Sequence, residues 1–131
     1  MAAAPYTRRI PKRFKKTITF TGAAGLGAVG DVDVGTVTGS ILFTHLTIRC
    51  TTLLAGATAT LEFGTTNNTA ALVAQTTATE IDADEFWRDT SPEAETSPAI
   101  CDAAVGADIL LTVGTAAITA GVLEIVGDWL P

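Results

Sequence analysis

The chain has 131 residues and a formal net charge of −6, with 47% hydrophobic and only 17% charged residues. That length holds one domain with a reasonable core and leaves no room for a second of similar size. No stretch approaches the ~20 uninterrupted apolar residues of a membrane span, and two cysteines, Cys50 and Cys101, are too few for a disulfide framework.

The first sixteen residues carry six of the eight basic side chains: Arg8, Arg9, Lys12, Arg13, Lys15 and Lys16. From Thr17 onward only Arg49 and Arg88 oppose fourteen acids, so the arm is +6 and the body −12. The expected organisation is therefore an extended basic N-terminal arm, residues 1–16, joined to a β-domain, residues 17–131. Pro5 and Pro11 stiffen the arm, and Tyr6, Ile10 and Phe14 are interleaved with its cations in a pattern suited to docking on another protein. Three roles compete for it: a nucleic-acid contact driven by counterion release, a solubilising tail, and a protein-binding arm. The strongly acidic body would be repelled by a polyanion, which argues against nucleic acid. An acidic surface, on another copy or on a different partner, is the natural receptor. The expected partner-binding residues are Tyr6, Arg8, Arg9, Ile10, Lys12, Arg13, Phe14, Lys15 and Lys16. The N-terminus lacks the apolar run of a signal peptide, because polar Thr17, Thr19 and Thr21 alternate there, and synthesis in the cytosol is expected.

Beyond the arm, period-two alternation dominates, the pattern of strands with one buried face. "KTITFTG" points Ile18 and Phe20 one way and its threonines the other. "GLGAVG" matches GxGxxG through Gly25, Gly27 and Gly30, yet the segment that follows, "DVDVGTV", reads as a strand. Without a helix N-terminus to hold phosphates, no nucleotide site is expected. "SILFTHLTIRC" is a long strand with Leu42, Leu46, Ile48 and Cys50 toward the core, and "ATATLEF" places Ala57, Ala59, Leu61 and Phe63 on one face. "GTTNNT" reads as a hairpin loop, and its Asn67 formally heads a glycosylation sequon. "AALVAQT" and "EFWRD" are shorter strand candidates. "DTSPEAETSP" is a surface loop held extended by Pro92 and Pro98. "DILLTVG" turns Ile109, Leu111 and Val113 inward, and "GVLEIVGDW" does the same with Leu123, Ile125 and Trp129. Eight to ten short strands and no helical periodicity predict a single antiparallel β-sandwich or jelly roll.

Candidates for chemistry are few. Glu80, Asp82, Asp84, Glu85 and Asp89 are spaced carboxylates that could hold a surface Ca²⁺, but the segment lacks the glycine and terminal glutamate of an EF-hand loop; a solvated edge anchored by Phe86 and Trp87 is the simpler reading. His45 is the only histidine, expected on the face opposite Leu42 and Leu46, with no nucleophile or second ligand placed beside it. The two cysteines read as buried free thiols. No enzyme, cofactor or metal is expected.

The segments "TITFTGAAGLGAVGDVDVGTVTG", "ATATLEFGTTNNTAALVAQTTATEIDADEFW" and "ILLTVGTAAITAGVLEIVGDWLP" resemble small structural proteins of tailed bacteriophages, and most of all capsid decoration, or cement, proteins. The resemblance implies a non-enzymatic virion protein on the capsid exterior, made in the host cytoplasm. It implies trimers bound to the major capsid protein that stabilise the head, with the arm as a staple. The alternative is another virion β-module, a head fibre, tail or receptor-binding component that uses its loops.

Overall fold

In the computed structural model the described residues are 10–37, 40–66, 68–88, 100–102 and 108–130, with the backbone alone for 40–44 and 100–102. They form nine strands: β1 (Lys12–Thr19), β2 (Gly30–Gly35), β3 (Ser40–Ala55), β4 (Thr60–Thr65), β5 (Val73–Thr77), β6 (Phe86–Trp87), β7 (Ile100–Asp102), β8 (Ile109–Gly114) and β9 (Ala120–Leu130). One 3₁₀ turn, Ala78–Glu80, links β5 to β6. All strand pairs are antiparallel, in two sheets. The first runs β1-β9-β3-β6, with β7 also on β3; the second runs β2-β8-β4-β5. The architecture is the expected β-sandwich.

The core follows from the period of two. In β9 the residues Gly121, Leu123, Ile125 and Gly127 are buried and the residues between them are half-buried. Ile18, Leu123 and Cys50 stand opposite one another across three strands, as do Ile125 and Ile48 across two. Facing them from the second sheet are Val32, Leu61, Phe63, Leu111 and Val113, each 2% exposed or less. The indole of Trp87 is buried at the sandwich edge, and its Nε1–H donates to Thr76 Oγ1 at 2.9 Å, a bond from β6 of one sheet to β5 of the other. The same sequence segment puts Phe86 outward, 51% exposed, so Trp87 alone is the anchor there.

Alternation is interrupted where the strands bulge. β3 shifts register against β9 between Phe43 and His45 and twice more beyond Cys50. The bulges bend the 16-residue strand and bring Leu54 inward. The side chains of Leu42 and Phe43, residue 67 of the hairpin loop, the thiol of Cys101 and the loop at 89–98 lie outside the described residues.

The glycine-rich segment is a turn between sheets. Gly25, Gly27 and Gly30 all have positive φ, and the Gly27 carbonyl accepts from the Ile118 N–H at 2.8 Å. A Cβ on Gly27, at φ 119°, would collide with the carbonyl oxygen of Ile118. Of the three, Gly27 is set by backbone packed on backbone, while Gly25 and Gly30 have open space beside them and are set by their positive φ.

Two substitutions test this packing. Leu111→Ala, at a site with no exposure, is expected to lower stability by about 2–5 kcal/mol in urea titration. Gly27→Ala is expected to cost about 2 kcal/mol or more, because a left-handed conformation and a backbone clash both oppose the methyl group.

Candidate functional site

The basic segment continues directly into the sandwich as its edge strand. Lys12, Arg13, Phe14, Lys15 and Lys16, expected as the end of a separate arm, occupy the first five positions of β1 and pair with β9 from Lys12↔Trp129 to Thr19↔Val122. Ile10 lies just outside the strand, 70% exposed. Tyr6, Arg8 and Arg9 lie outside the described residues.

Alternation sorts these residues onto two faces. Lys12, Phe14, Lys16 and Ile18 share the side of Trp129, Gly127, Ile125 and Leu123, while Arg13 and Lys15 share the outer side with Asp128 and Val126. Ile18 is fully inserted in the core. Phe14 lies against Gly127, where any Cβ would collide with the aromatic ring. The missing side chain of one strand therefore seats the ring of the next. The Lys12 ammonium lies 5.3 Å from the centre of the Trp129 ring, within cation–π range.

On the outer face the cations meet carboxylates. Arg13 Nε donates to Asp128 Oδ1 at 2.8 Å and Nη2 to Oδ2 at 3.3 Å, a forked contact between directly opposite residues. Lys15 Nζ lies 2.8 Å from Glu124 Oε1, on the diagonal of the ladder. The Arg13 hydrogen bond holds the Asp128 carboxyl below its ordinary range, and the Lys15 hydrogen bond does the same for Glu124. Asp128 and Glu124 were not singled out in sequence. Their signal is there, however, since Glu124 and Asp128, four residues apart on "EIVGDW", fall on one face of a strand, as Arg13 and Lys15, two apart, do on theirs.

Further along this face Arg49 pairs with Asp84 at 2.9 Å. His45 stands opposite Asp128 on β3, exposed, with its Nε2 hydrogen-bonded to the Thr47 hydroxyl at 3.1 Å. Beside it an open groove of about 340 Å³ runs along the β3 edge between Leu46 and Trp87, with Arg88 stacked 5.7 Å from the Phe86 ring. Among the described residues its lining holds no carboxylate, hydroxyl–histidine–acid relay or thiol. Cys50 lies in the core, its Sγ–H directed to the Thr52 carbonyl at 3.2 Å, and burial pushes the thiol pKa up, which disfavours the reactive thiolate. Among the described residues no three of His, Cys, Asp and Glu converge as metal ligands, those of the 80–85 segment included.

The outer face of the second sheet has the opposite character. Asp31 and Asp33 are exposed on the edge strand β2, with Glu62 across Thr112 from Asp31. The Thr112 hydroxyl donates to Asp31 at 3.0 Å and the Thr69 hydroxyl to Glu62 at 2.6 Å.

No protein-family model matches the chain, and no curated protein matches it in sequence. Its fold is similar to that of a chain in the capsid asymmetric unit of cyanophage Pam1. The match has a TM-score of 0.60 and 14% identity, and covers 99% of this chain and 91% of that one. At that identity the likeness is one of fold.

The fastening of β1 gives two expectations. Gly127→Ala evicts the Phe14 ring, so amide exchange in β1 is expected to accelerate at least tenfold, about 1.4 kcal/mol of local opening, ahead of exchange in β3. Asp128 and Glu124 have depressed pKa values in the folded chain, so their pairing contributes stability above the unfolded carboxylate range, about pH 4 to 4.5. That contribution is lost as pH falls through the lower folded values. The thermal midpoint of Asp128→Asn/Glu124→Gln should therefore lie below that of the unmodified protein at neutral pH and converge with it in acid, once both carboxyls are protonated in the folded chain.

Proposed function

We propose that this protein is a non-enzymatic virion structural protein, a decoration or cement protein that binds the exterior of a phage head and stabilises it. The observation that carries the reading is the end-to-end fold likeness to a chain of a phage capsid asymmetric unit. It is joined to the resemblance in sequence texture and to a charge-poor surface of Thr, Ala and Gly suited to cover by neighbours. The partners are the major capsid protein and further copies of this chain, with a trimer as the favoured assembly, and the site is the basic N-terminal segment, residues 1–16, acting as an anchor.

The geometry of β1 refines how such an anchor works. Arg13 and Lys15 are held in place by carboxylates of their own chain, and Arg8, Arg9, Lys12 and Lys16 supply the rest of the charge offered to a partner. β1 itself gives the anchor a fixed base in the sandwich. Engagement of Arg13 and Lys15 by Asp128 and Glu124 also leaves fewer cations for phosphates, which weighs against a nucleic-acid role.

A chain starting at Ile10 keeps all of β1 and is expected to retain its melting temperature. It is expected to lose most of its binding to heads assembled without this protein, measured by co-sedimentation. Undiminished binding would remove the anchor role. Gold labelling of intact particles places the protein on the head; a signal confined to fibres or tail would replace this reading with that of another virion β-module.

A further inference from the structure

The two sheets end on the same side of the sandwich in edges of opposite charge. β1 is the outer strand of the first sheet and β2 of the second, and among the described residues no further strand pairs with the outer edge of either. They lie across from each other, because one cavity of about 270 Å³ is walled by Phe14 and Trp129 of β1 and β9 and by Val34, Gly35, Val37 and Ile109 around β2 and β8. Thr19 at the end of β1 pairs with Val122 near the start of β9, and Gly30 at the start of β2 pairs with Val113 near the end of β8. β8 and β9 are joined by residues 115–119, so β1 runs toward that end of the sandwich and β2 runs away from it.

We propose that a second copy of this chain docks on this open side, with β1 of one copy pairing antiparallel to β2 of the other. A rotation axis parallel to the strands brings β1 to β2 of the neighbour with opposite strand directions and with outer faces on the same side. The charges match in that arrangement. Arg13 and Lys15 are two apart on the outer face of β1, and Asp31 and Asp33 are two apart on the outer face of β2. The full-length register sets Arg13 against Asp33, Lys15 against Asp31, and Phe14 against Val32 on the inner face. Arg13 then stands between Asp128 of its own chain and Asp33 of the neighbour, and opposite charges side by side on a sheet are favourable. The competing arrangement, β1 on β1, would set Lys12, Arg13, Lys15 and Lys16 against the same four cations, so the edge rejects its own kind and admits an acidic strand. The second observation is the cavity: it is mainly apolar, opens between the two edges, and is closed over when they are paired. The contact is between two different edges and so can close around two or three copies. It concerns copies of this chain only, and stands or falls independently of a place on a phage head.

The test uses the full-length protein. Lys15→Cys and Asp31→Cys are prepared as separate variants, mixed and oxidised; directly opposite residues at about 4.5–5.5 Å between Cα atoms lie in disulfide range. The two positions are on outer faces of opposite sheets within one chain, so a link between them joins different copies. The expected product is the mixed Lys15→Cys/Asp31→Cys dimer, in clear excess over either homodimer. Predominant Lys15→Cys homodimer, or no mixed product, overturns the proposal. Independently, Asp31→Lys/Asp33→Lys should raise the self-association constant for dissociation about tenfold or more by analytical ultracentrifugation, with circular dichroism confirming the fold. An unmodified protein that stays monomeric at about 100 micromolar also overturns it.

Discussion

The register of β9 between its two neighbours is the constraint on which the rest of the molecule depends. β9 pairs with β1 on one side and with β3 on the other, and its side chains alternate strictly between the core and the outer face. Leu123 and Ile125 enter the core, Gly127 receives the Phe14 ring, and Glu124 and Asp128 meet Arg13, Lys15 and the β3 row. A slip of one residue would bury two carboxylates and expose the core, and its cost keeps that register in place. The second sheet then needs only to present its own apolar rows to the first.

Placing a basic segment on the edge of an acidic domain has consequences that neither part has alone. Forked and diagonal ion pairs at this degree of exposure contribute little to stability individually. Their effect is to orient: they hold Arg13 and Lys15 flat on the outer face, while Ile18, Phe14 and Gly127 supply the apolar fastening. The result is an edge with a defined sign, beside a second edge of the other sign. In a sandwich with so few charges, Arg13 and Lys15 lie on one edge strand and Asp31 and Asp33 on the other.

Much of the fold was legible in the chain because a buried strand face imposes a period of two. Ile18, Leu61, Phe63, Leu111, Val113, Leu123 and Ile125 were all assigned inward from alternation, and all are buried. The task of Gly27 in "GLGAVG", close approach to the Ile118 carbonyl, was not legible there, because it depends on a contact 91 residues away along the chain. Local pattern could not separate Phe86 from Trp87, since which of two adjacent aromatics turns inward depends on the parity of pairing with β3.

Composition and alternation, read residue by residue, were sufficient for the all-β class, the inward faces and the partition into a basic start and an acidic remainder, because these follow from local periodicity and charge counting. Which strands are neighbours, where β3 bulges, and that Lys12–Lys16 belong to a paired strand were settled only by the fold. Each of those depends on residues distant in sequence, Phe14 with Gly127 and Arg13 with Asp128 among them, and no local pattern encodes which distant strand completes a pair.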